Sequence, residues 1–251
     1  SDFNVRALFH YQDVGLDYPS LACDTVDAAR IGYHWSYIPW PGNAAARIHQ
    51  VYFVWGPHLA DILEATGSCV DHVLWSGCMV HGAYPGSEFG DAPSVDRSGV
   101  ETNGASRVIA LFDTSLPCAG FYEYFFKKTI EDHRLGLLIK PKNSRYPWSR
   151  YNMTELTSLY EKAMATGRVR LLDELISPTQ AAAAADISVS VDINSASVCS
   201  ALAGHRAVHL DYVRLHEGPL ADWAALYKDG RNRLVFDDPD ELWEQLNIYF
   251  D

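Results

Sequence analysis

The chain has 251 residues, 48% of them hydrophobic and 21% charged, enough apolar material for one large core or two modest ones, which argues against disorder as its main state. Its formal net charge of −12 argues against non-specific nucleic-acid binding, whose affinity comes from Lys and Arg displacing phosphate counterions. No run approaches the ~20 apolar residues that cross a bilayer and no signal-peptide pattern opens the chain, so the expected location is cytoplasmic.

In the first hundred residues Pro39, Pro41 and Gly42 interrupt the pattern, and the aromatic-rich segment 30–38 reads as a strand and loop. Residues 51–55, 57–66 and 70–76 then read as strand, helix and strand, with Gly67 ending the helix, which makes residues 1–82 a partial α/β segment. Between Gly82 and Gly104 glycine, proline and serine recur without apolar periodicity, so residues 83–105 are expected to be a linker or mobile loop.

From residue 106 to 251 short β-branched runs alternate with helical patterns, the signal for βαβ units and a mainly parallel sheet. Strands are expected at 108–112, 136–140, 168–172, 187–191 and 207–210. Helices are expected at 121–132, 154–166, from Pro178 through the alanines, at 195–203 and at 239–249. The five cysteines are scattered with no CxxC pair, the pattern of reduced, buried thiols.

Ligands of an open parallel sheet bind beyond the carboxyl ends of its strands. Those ends carry Asp113, Thr114 and Ser115, then Lys140 and Lys142 with Asn143 and Arg145, then Asp173 and Glu174, then Asp192, Asn194, Ser195 and Ser197, and finally Asp211. Asn194, Ser195 and Ser197 stand where a helix begins, and unpaired N–H groups and the helix dipole favour an anion there, although the same residues also suit plain capping. The lysines add point charges at the same edge. Asp113, Asp173 and Asp211 suit either turn roles or contacts to a ribose or sugar hydroxyl.

The segment Ser177 through Asp186, the strand after it, the run Asp192 through Ser197 and the helix closing at Gly204 together resemble the donor-binding, carboxyl-terminal half of GT-B glycosyltransferases. Lys140-Pro141-Lys142 is similar to the "KPH" or "HP" element, and Asp192 through Ser197 to the paired-serine element, of bacterial sialyl-, Kdo- and polyol-phosphate transferases. Residues 53–77 are similar to the last α/β unit of the amino-terminal half of surface-polysaccharide glycosyltransferases. The resemblance implies a Rossmann-like open parallel sheet with a partial second α/β unit, and donor binding by Thr114, Ser115, Lys140, Lys142, Asp173, Asn194, Ser195 and Ser197. The chain differs in carrying Cys199 where many such enzymes have a ribose-holding Glu, and Lys142 in place of a second histidine.

The activity implied is transfer of a sugar from a nucleotide-activated donor to a bacterial surface glycan, on a glycan or lipid-linked acceptor at the inner face of the membrane. The donor is a substrate rather than a cofactor, and with no HExxH or DxD signature no metal is expected. Asp113, Asp13 and His34 are the candidate acid/base groups, with His81 a further one. Since two Rossmann-like halves need about 350 residues, the chain is expected to be one module of a larger polypeptide or assembly, lacking most of its amino-terminal domain. Two other readings are a sugar-nucleotide epimerase, and a carbohydrate-binding or scaffold module using Tyr33, Trp35, Tyr37 and Trp40, which equally suit a packed core.

Overall fold

The computed structural model describes residues 6–10, 18–34, 36–38, 40–42, 46–78, 95–114, 118–142, 154–212, 214–223, 226 and 233–251. The chain divides into two compact units, residues 1–80 with 219–225, and residues 81–218 with 226–251. Among the described residues no helix is long and apolar enough to cross a membrane.

The first unit is a four-stranded parallel sheet in the order β1-β2-β3-β4, from β1 (Ala7–His10), β2 (Ala29–Tyr33), β3 (Ile48–Val54) and β4 (Cys69–Trp75), with helices α1 (Tyr18–Val26) and α2 (Pro57–Ala65). It exceeds the strand expected within 30–38, which overlaps β2, and the strand-helix-strand unit expected in residues 51–76, by β1 and α1. Pro57 opens α2 where its missing N–H costs nothing, and Leu59, Ile62 and Leu63 recur at helical spacing to bury against Tyr52 and Val54. The Tyr52 hydroxyl accepts a 3.0 Å hydrogen bond from Arg47 Nε inside this core. Gly32 is dictated by the same ring, because a Cβ there would lie 2.4 Å from Tyr52 and 2.8 Å from the His49 ring.

The second unit is a six-stranded, wholly parallel sheet in the order β10-β9-β8-β5-β6-β7. Its strands are β5 (Arg107–Phe112), β6 (Leu135–Lys140), β7 (Val169–Leu171), β8 (Ile187–Val191), β9 (Ala207–Leu210) and β10 (Val235–Phe236). Helices α4 (Ala119–Glu131), α5 (Thr154–Ala165) and α8 (Pro239–Phe250) pack on one face with Ile109, Leu111, Leu137 and Ile139. Helices α3 (Ser98–Glu101), α6 (Pro178–Ala183) and α7 (Ser195–Leu202) lie on the other, where Val108, Ala110, Phe112 and Leu138 meet the alanines of α6. Read from β7 to β10, the order 3-2-1-4-5-6 is that of the doubly wound Rossmann-like sheet. Every residue of β5 is buried, as a strand covered on both faces requires.

Two departures from the sequence reading have physical causes. Residues 95–105, expected to belong to a linker, include the helix α3 and join this unit's core through two residues: α3 buries Val100, and Ala105 approaches Gly136 so closely that a Cβ on that glycine would sit 2.8 Å from it. The rest of that segment, 83–94, lies outside the described residues. The edge strand β10 has only two residues, too short for any periodicity.

Arg168 closes the lower end of α4. Buried just before β7, it donates 2.9 Å hydrogen bonds to the Asp132 and Thr129 carbonyls, groups that a helix terminus leaves without intrahelical partners. Arg168→Ala is expected to lower stability by about 2–3 kcal/mol, since it leaves both carbonyls buried without their donor. The check is the midpoint of urea unfolding at unchanged slope.

Candidate functional site

The chain steps outward from β5 to β6 and β7, then returns to place β8 on the other side of β5. The loops after β5 and β8 therefore diverge, opening a crevice at their carboxyl ends, where ligands of such sheets bind. Asp113 and Thr114 follow β5, and Asp192, Ile193 and Asn194 follow β8 and lead into α7. Asp192 holds φ 53°, a left-handed conformation that costs a non-glycine residue free energy and persists only when its surroundings fix it. It reverses the chain so that α7 starts immediately beyond the strand.

Asn194 is the N-cap of α7. Its Oδ1 accepts from the Ser197 N–H at 3.2 Å while its Nδ2 donates to the Val191 carbonyl at 3.0 Å, tying the helix start to the end of β8. The side chains of the first turn are small, Ser195, Ala196 and Ser197, and Ser195 is half-buried at the first helical position. The positive end of the helix dipole thus sits at the crevice behind short side chains that admit close approach.

On the β5 side, Asp113 is buried and its Oδ1 accepts from the Lys142 N–H at 2.6 Å, while the carboxylate also lies against the Tyr122 hydroxyl. Burial raises its pKa against the opposing effect of these hydrogen bonds and of the Lys140 charge. Cys118, the residue preceding α4, has its thiol pushed up to about 12, first by burial and then by the charges of Asp113 and Asp192, so it remains a thiol rather than a thiolate nucleophile. Lys140 donates from Nζ to the Pro141 carbonyl at 2.9 Å. Its burial lowers its pKa, and the charges of Asp113, Asp173 and Glu174 oppose the shift.

The residues expected at the site separate accordingly. Asp113, Thr114, Asn194 and Ser195 come to the crevice. Lys140 and Lys142 stand one strand away, at the end of β6, with Lys142 exposed. Asp173 lies beyond β7, exposed, with Oδ1 accepting from the Leu175 N–H at 2.8 Å, the turn role that its position also suited. Ser197 is corrected: its side chain is fully buried and its Oγ donates to the Asn194 carbonyl at 2.9 Å, so it organises the loop from beneath and does not reach a ligand. His34 is corrected as well, since it lies inside the first unit, edge-on to Tyr52 and Trp55, and its carbonyl accepts from Trp55 Nε1. Tyr33 is buried, and Tyr37 stacks on His58 with its hydroxyl pKa raised by burial, in keeping with packed aromatics. Asp13, Ser115, Trp35, His81, Asn143 and Arg145 lie outside the described residues.

Two buried residues of the site, Ser190 and His209, went unremarked. The signal for the first was present: in the run 187–191 serine alternates with isoleucine and valine, which in a strand covered on both faces puts hydroxyls into one interior layer. Among the described residues no group of three or more His, Cys, Asp and Glu side chains is arranged to hold a metal ion. Compared with models of known protein families and with curated protein sequences, the chain matches none, and the functional reading rests on this geometry.

Proposed function

We propose that the second unit binds a nucleotide-activated sugar at the crevice between β5 and β8, as the donor-binding module of a metal-independent glycosyltransferase acting on a bacterial surface glycan at the cytoplasmic side of the membrane. The observation that carries this reading is the reversal of strand order beside the capped, small-residue start of α7. Breaking a sugar–phosphate bond develops negative charge on the leaving phosphate. Fixed donors at the start of α7 stabilise that charge without reorganising during the reaction. Lys142, exposed beside the crevice, supplies a full positive charge, whereas Lys140 is partly balanced by its acidic neighbours.

A nucleotide that binds only the folded protein raises its thermal midpoint. One of CMP, UDP, GDP and CDP at millimolar concentration is expected to do so. Lys142→Ala should weaken that response, whereas Lys127→Ala, on the exposed face of α4, should preserve it. A chain that responds to none of the four nucleotides is not a donor-binding module.

A further inference from the structure

The loop between β8 and α7 rests on a polar layer where a parallel sheet ordinarily has hydrocarbon. Ser190 of β8, Ser197 of α7 and His209 of β9 are together no more than 2% exposed, and the pairing of β8 with β9 sets Ser190 directly beside His209. Ser190 Oγ donates to the Asp192 carbonyl at 2.8 Å, and Ser197 Oγ donates to the Asn194 carbonyl at 2.9 Å. His209 Nδ1 lies 2.9 Å from Ser190 Oγ and 3.2 Å from Ser197 Oγ.

Counting protons fixes the roles in this cluster. A carbonyl only accepts and a hydroxyl has one proton, so both serine protons are committed to the Asp192 and Asn194 carbonyls. Nδ1 must then carry the imidazole proton and donate it toward the two hydroxyl oxygens. Through these two hydroxyls a single N–H group joins the carbonyl of the left-handed Asp192, the carbonyl of the N-cap Asn194 and the first turn of α7. Burial agrees with a neutral ring, since it lowers the His209 pKa to about 4.

We propose that His209 is the positioning residue of the anion-binding loop, its Nδ1–H holding residues 192–197 in the geometry that aims the α7 start into the crevice. This rests on the reading of that crevice as a nucleotide site, and two readouts separate the claims. His209→Leu removes the donor, and His209→Asn places an amide N–H close to where Nδ1–H sits while losing a similar amount of ring packing.

Hydrogen exchange of the amides at 194–198 is expected to quicken roughly tenfold or more in His209→Leu and to return toward the wild-type rate in His209→Asn, as the loss of a buried hydrogen bond implies. The dissociation constant for whichever of the four nucleotides binds should follow the same order, about tenfold weaker in His209→Leu and largely restored in His209→Asn. Equal exchange rates in the two variants would overturn the proposal, because ring volume alone would then account for the loop. If the wild-type protein binds no nucleotide, the reading of the site fails and the exchange comparison still decides the role of His209.

Discussion

Ser195→Asp is expected to weaken nucleotide binding on the order of a hundredfold while leaving the protein at least as stable as the wild type. The two effects have opposite signs because they draw on the same helix end. An Asp in the first turn of α7 interacts favourably with the dipole, which stabilises a helix by about 0.3–1 kcal/mol. A phosphate at the same N–H groups meets that carboxylate at close range. A unit-charge repulsion at ~4 Å near a protein surface is about 4 kcal/mol, and after salt screening a loss on the order of a hundredfold in affinity remains. Ser195→Ala, which removes only a hydroxyl, should cost several-fold. Isothermal titration with the responding nucleotide and a thermal scan of each variant give both numbers. Undiminished binding by Ser195→Asp would place the phosphate away from α7.

Much of the second unit was legible in the sequence because its parallel strands are covered on both faces. Apolar runs such as 108–112 and 137–139 lie within β5 and β6, and the expected strands 187–191 and 207–210 coincide with β8 and β9. The start of α7 was legible for a related reason, since Asn194 before a run of small residues is a capping signal and it does cap. The sequence could not distinguish a hydroxyl pointing outward from one pointing inward. Ser195 and Ser197 are two residues apart on one helix, and a rotation of about 200° between them puts Ser197 under the loop, against His209. Asp113 was ambiguous in the same way: a carboxylate after a strand suits a ligand or a neighbouring loop, and the Lys142 N–H engages it as a loop tie. In the first unit the signal was weaker because β1 has only four residues and half of its positions are exposed.

The stability of the protein is expected to fall as pH drops from about 6.5 to about 4, and His209→Asn should remove most of that slope. Burial depresses the folded-state pKa of His209 to about 4, whereas the unfolded chain restores the ordinary value near 6.5. Above 6.5 both states carry a neutral ring and the contribution of His209 is fully present. Between the two values the unfolded state binds a proton that the folded state refuses, so each pH unit favours unfolding by about 1.4 kcal/mol, or about 3 kcal/mol over the window. Asp113 acts in the opposite sense. Burial raises its folded-state pKa above the usual 3.8, so the folded protein keeps a proton that the unfolded chain releases as pH rises past that point, and stability falls with increasing pH until the folded carboxyl ionises. The Asp113 effect opposes the His209 slope, so Asp113→Asn should steepen the net fall in stability as pH drops. Urea unfolding of the wild type and of the two variants at fixed ionic strength measures each contribution. A wild-type slope that His209→Asn leaves intact would mean that the ring takes up its second proton, at Nε2, in the folded state despite its burial.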